Sequence, residues 1–156
     1  MSRDDPDNVD AVRGPTASQA AGMTLAAARR SIAAVEDAAR QMRVALSVAI
    51  VDSGDQPVAF ARMDGADLVS IQLARDKPYS SLMNRMPTGD LAPLVQPGAE
   101  FYGYDSLAGG RMIVFAGGIP LERDGVLVGA IGVSGGSADQ DQRAAEAGVT
   151  AFDQRE

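Results

Sequence analysis

A chain of 156 residues with 46% apolar and 22% charged side chains is long enough for one domain with a real core and short for two. Its net charge of −7 argues against a broad basic surface for nucleic acid. The absence of cysteine and histidine excludes disulfides, thiolate metal sites, cysteine nucleophiles, the usual general base and the commonest haem ligand.

Residues 1–22, "MSRDDPDNVDAVRGPTASQAAG", are charged, contain Pro and Gly and lack an apolar run. They read as a disordered tail, neither signal peptide nor membrane anchor, so the expected location is cytoplasmic. Thr24 caps a helix expected to run to about Arg43, with Leu25, Ala28, Ile32, Val35, Ala39 and Met42 on one apolar stripe. "VALSVAIVD", the turn "SGDQ" and "PVAFARM" form a hairpin over residues 44–63. A second helix spans roughly Ala66–Asn84, with Pro78 expected to kink or split it after Lys77.

Residues 86–111 hold many glycines and prolines and few periodic runs, a long loop of the kind that serves function or assembly. "RMIVF" reads as a short strand, followed by a Gly-Gly break, a second short strand and a turn at Asp124-Gly125. "VLVGAIGVSG" is apolar enough to be central in a sheet, and "ADQDQRAAEAGVTAF" closes the chain as a helix. The order α-β-β-α-β-β-β-α, with hairpins on both sides of a helix, argues for an α+β fold on an antiparallel sheet.

Gly132-Val-Ser134-Gly-Gly136 matches G-x-S-x-G, the nucleophile elbow. An elbow needs a base for the serine proton and a parallel strand leading into a crossover helix. No histidine is present and the last helix follows directly, so the glycines read as a strand end with special backbone angles. The turn "GVSGGSADQD" still leads into a helix N-terminus able to receive a carboxylate or polar group. Asp52, Asp55, Asp64 and Asp67 lack the spacing of a calcium loop and read as turn and cap residues, so no metal site is assigned. Lys77, the only lysine, lies on the apolar second helix and reads either as an anchor or lowered-pKa base, or as a snorkelling side chain. Arg62 and Arg111 would add charge to the same cleft, and Tyr79, Tyr102 and Tyr104 would add hydroxyls or aromatic walls.

Together "VDSGDQPVAFARMDGA", "SIQLARDKPYSS", "PTGDLAPLVQPG", "GGIPLERDGVLVGAIGVSGG" and "DQDQRAAEAG" resemble, in order and spacing, the GlcG/HbpS-like family of haem-binding or haem-degrading proteins. That family is related to the C-terminal domain of PduO-type proteins. The resemblance spans about Met23–Phe152 and sets the expected domain at 23–152. It implies a profilin-like three-layer fold with a five-stranded antiparallel sheet, homo-oligomers from dimers to octamers, and haem or another tetrapyrrole as ligand in some members. It places a ligand cleft near Arg62, Lys77, Gly117, Gly118, Ser134 and Gly135. The chain departs at Pro78, where a small residue is usual, and its lack of histidine leaves Tyr, Met, Lys or a hydroxyl as axial group.

Three functions compete. One is a non-catalytic binding protein holding haem or another flat acidic ligand against Arg62, Lys77 and Arg111. Another is a cofactor-free isomerase, cyclase or dehydratase acting on a small organic acid or biosynthetic intermediate, with Lys77 or Asp64 moving a proton and Tyr102 or Tyr104 donating one. The third is an assembly protein with a vestigial cleft. In each case the expected partners are a small molecule and further copies of the chain, with no nucleic acid and no membrane.

Overall fold

The computed structural model of the chain describes residues 22–154. The expected tail therefore lies outside the described residues except for Gly22. The elements are α1 (Leu25–Met42), β1 (Ser47–Asp52), β2 (Pro57–Arg62), α2 (Leu68–Asn84), α3 (Thr88–Leu91), the 3-10 turns Ala92–Leu94 and Tyr104–Ser106, α4 (Leu107–Gly110), β3 (Gly118–Arg123), β4 (Val126–Ser134) and α5 (Ala138–Asp153). Among the described residues no helix is long and apolar enough to cross a membrane.

The strands form an antiparallel sheet in the order β2-β1-β4-β3, with helices on both faces. Adjacent residues of β4 point to opposite faces. A side-chain carbon added at Gly148 of α5 would sit 2.5 Å from Ile131, while one added at Gly132 would sit 2.2 Å from the Pro78 ring of α2. Thus α1 and α5 cover one face and α2 covers the other. The main core lies on the α1–α5 side, where Val35, Val48, Ile50, Ile131, Val133 and Phe152 are buried.

Local chemistry explains most boundaries. The Thr24 hydroxyl accepts from the Ala27 amide at 3.1 Å, and Arg43 ends α1 at φ 57°. Leu25, expected on the buried stripe, is 46% exposed. Ala27 and Ser31 are buried instead, because Gly148 lets α1 and α5 approach closely. In the β1–β2 turn the Asp52 carboxylate accepts from the Gly54 and Gln56 amides, and Asp67 caps α2 through the Ser70 amide, the roles expected of both.

Two expectations need correction. Among the described residues the sheet has four strands, not five, because "RMIVF" does not join it. Just before it, Ala108, Gly109 and Gly110 all take positive φ and coil the chain tightly. Its polar backbone is then served by Ser80 of α2: the Ile113 amide donates to Ser80 Oγ at 2.7 Å, and the Arg111 carbonyl lies 3.0 Å from the same atom. Those two groups are thereby committed to a side chain and not to a strand ladder. The observed fold is α+β, with three layers around a four-stranded antiparallel sheet.

Pro78 also leaves α2 unbroken over Leu68–Asn84. A proline in a helix frees the carbonyl four residues earlier and crowds it with its ring. Here both features meet a glycine: the Ala74 carbonyl and the Pro78 ring lie 2.3 and 2.2 Å from where a Gly132 side chain would begin. The proline turn of α2 therefore sits directly on the sheet. Across the sheet the register runs Phe60, Ala49, Gly132, Gly118. The small residues of this row, Ala49, Gly132 and Gly118, bring α2 down over β4 and β3, and Gly118 faces the Lys77 carbonyl at a similar approach.

Candidate functional site

Toward β1 and β2 the same arrangement leaves a gap. Ala49 and Val51 of β1 and Pro57 and Phe60 of β2 lie under the first half of α2, where the helix presents Ile71, Gln72, Arg75 and Asp76. Ile71 with Arg75, and Gln72 with Asp76, are pairs four residues apart and so share a helix face. Together with Ala59, Asp55 and Arg111 these residues line a cleft of about 580 Å³, within the range of about 300–1,000 Å³ usual for small-molecule sites. Its floor and walls are mainly apolar, and its charges come from the β1–β2 turn, α2 and the segment after α4.

Those charges form an organised network. Arg111 Nε donates to Asp76 Oδ1 at 3.0 Å and Nη2 donates to Asp55 Oδ2 at 3.1 Å. Its guanidinium stacks 4.0 Å from the centre of the Tyr79 ring. Asp76 is buried, and its second oxygen accepts from the Gln72 amide. Burial pulls the Arg111 pKa down, but hydrogen bonds and charge from Asp76 and Asp55 outweigh it and hold the group above its ordinary value. Arg75 is exposed and forms no ion pair among the described residues.

The residues expected to form one site are dispersed. Arg111 lines the cleft. Arg62 and Asp64 lie together in a separate hollow with Glu36, Arg40 and Met63. Lys77 is fully buried behind the cleft. Its Nζ donates to the Val133 carbonyl at 2.7 Å and to Asp141 Oδ2 at 2.8 Å, and lies 5.1 Å from the centre of the Phe115 ring. Burial lowers the Lys77 pKa and raises that of Asp141, each against the pull of the other's charge.

Gly117, Gly118, Ser134 and Gly135 lie in this packed interior. Side-chain carbons added at Gly117 or Gly118 would meet Lys77 atoms at 2.8 and 2.7 Å, and one at Gly135 would meet the Ala45 carbonyl at 2.7 Å. Ser134 is 3% exposed at the end of an antiparallel strand, paired with Ser47. The turn read as an anion receiver is satisfied internally: the Gly136 amide donates to Asp141, and Ser137 and Gln140 form a capping box. Tyr102 is 70% exposed on the long loop, while Tyr104 donates to Asn84 Oδ1 at 2.7 Å beside a small apolar hollow. Among the described residues, the cleft and the two smaller hollows bring no two of Lys77, Asp64, Tyr102 and Tyr104 together.

The reading from sequence did not single out Gln72, Arg75 or Asp76, which line this cleft, and took Asp55 for a turn residue alone. The spacing of Ile71 with Arg75 and Gln72 with Asp76 is the available signal. It emerges only once the floor of Ala49, Val51 and Phe60 is known to lie beneath that face.

A family model described as "Haem degrading protein HbpS-like" matches residues 23–150. The chain is 37% identical to an uncharacterized 15.0 kDa protein of the dhaT-dhaS intergenic region of Citrobacter freundii, over 86% of this chain and 94% of that protein. It is 41% identical to the corrinoid adenosyltransferase PduO of Salmonella typhimurium, over 77% of this chain but only 35% of that longer protein. Among solved structures, a PduOC:heme complex superposes with a TM-score of 0.81 at 35% identity, covering 83% of this chain and 94% of that one.

Proposed function

The chain belongs to the HbpS-like family, and from that membership and the cleft geometry we propose that it binds a small, largely apolar anion between α2 and the β1–β2 hairpin. The observation that carries this reading is the slot itself: a floor of Ala49, Val51 and Phe60 under Ile71, with Arg75 and Arg111 among its lining residues. An apolar body is desolvated in the slot while its anionic group meets a cation. A carboxylate-bearing tetrapyrrole is the ligand class that joins this chemistry to the family, one of whose related structures is a complex with haem.

Whether haem iron itself fits is a question of donors. The cleft lining contains no histidine, cysteine, methionine, tyrosine or lysine, which are the side chains that bind haem iron or could substitute for them. The residues fit the ring and a carboxylate on it and do not fit an axial bond from within the cleft. Binding is accordingly assigned to burial and charge, independent of the metal.

Absorbance and fluorescence titrations with hemin and with iron-free protoporphyrin IX test this. The expected result is saturation at one equivalent per chain for both, with dissociation constants within about threefold, a difference below 1 kcal/mol. Failure of both to saturate overturns the reading, and tight uptake of hemin alone overturns its metal independence.

A further inference from the structure

We propose that the cleft recognises a single carboxylate, that Arg75 is its anchor, and that Arg111 is a positioning residue. The inference rests on the reading of the cleft above and specifies its ligand. The lining carries two guanidinium groups, Arg75 and Arg111, and two carboxylates, Asp55 and Asp76. The two acids both bind Arg111 and neither forms an ion pair with Arg75.

Arg111 is therefore compensated before any ligand arrives. Two of its donors hold carboxylates and one face of its plane lies against Tyr79. A ligand carboxylate approaching it would meet the like charges of Asp55 and Asp76 at the same point, and in a partly desolvated slot that repulsion offsets the attraction. The Asp55 Oδ1 atom, buried and without a hydrogen-bond partner, adds unmet acceptor character at that end. It favours a donor group on the ligand over a second acid.

Arg75 lies one turn before Tyr79 on α2, is exposed, and is among the residues that line the cleft. An arginine with no acid to satisfy it forms a two-point bond with an incoming carboxylate. Arg111 instead draws the β1–β2 turn, α2 and the segment after α4 together, and so gives the slot its closed end. The cleft is thus matched to an amphipathic monocarboxylate, or to one acid of a ligand that carries two.

Methyl esters of protoporphyrin IX separate these contributions without changing the ring. The free diacid and the monomethyl ester are expected to bind within about twofold of each other, the statistical factor for one anchor, and the dimethyl ester at least about tenfold more weakly. Arg75→Ala should bring the diacid to the level of the dimethyl ester, and Arg75→Lys should restore part of the difference. A monoester midway between the other two, or an Arg75→Ala variant that still discriminates acid from ester, overturns the single-anchor assignment while leaving the cleft reading intact. Equal binding of all three forms overturns carboxylate recognition altogether. If none of the three binds saturably, the cleft reading fails and this inference falls with it.

Discussion

Replacing Lys77 by Met is expected to cost about 3–5 kcal/mol of unfolding stability, the usual penalty for removing one partner of a buried ion pair. The Asp141 carboxylate, 3% exposed, would keep its bond from the Gly136 amide and lose its counter-charge. The Val133 carbonyl would lose a donor at the end of β4. Replacing both members, as Lys77→Met with Asp141→Leu, should recover at least about half of the loss, since a well-packed apolar pair can match a buried ionic one. Urea unfolding of the three proteins measures both effects. Porphyrin affinity of the folded Lys77→Met protein should stay within about twofold of the parent, because the lysine is sealed behind the cleft. A stable Lys77→Met protein that no longer binds porphyrin would instead make Lys77 a ligand anchor.

The second large effect is expected on binding rather than on folding. Ala49→Leu places a branched side chain on the cleft floor, between Phe60 and Gly132 in the sheet register. The space it enters is the slot, so the affinity for protoporphyrin IX should fall on the order of 100-fold, about 2.7 kcal/mol. The unfolding free energy should change by less than the 1–3 kcal/mol typical of overpacking a filled core. Titration and urea unfolding on the same preparation separate the two. Retained affinity in a folded Ala49→Leu protein would place the ligand elsewhere.

Legibility from sequence followed the range of the interactions. The caps at Thr24 and Asp67, the β1–β2 turn at Asp52 and the apolar β4 strand rest on neighbours a few residues apart, and each could be read directly. "RMIVF" has the composition of a strand and is none, because its hydrogen-bond partner is a side chain 33 residues earlier. Lys77 showed the same limit: its solitary position marked it out, but its ion-pair partner Asp141 lies 64 residues away. Pro78 was expected to interrupt a helix because the glycine that receives it, Gly132, belongs to another element. Arg111 was singled out as a cation, while the acids that pair with it come from a turn and a helix distant in sequence. The cleft depends on the row Phe60, Ala49, Gly132, Gly118, which only the strand register assembles.

The central claim is that the ligand sits between α2 and the β1–β2 hairpin. Backbone amide shifts of isotopically labelled protein, followed through a protoporphyrin IX titration, test it most directly. The account predicts the largest perturbations at Ala49, Phe60, Ile71, Gln72 and Arg75, which line the slot. Perturbations confined to the Phe101–Tyr104 loop, or to the Arg62–Asp64 hollow, would contradict it.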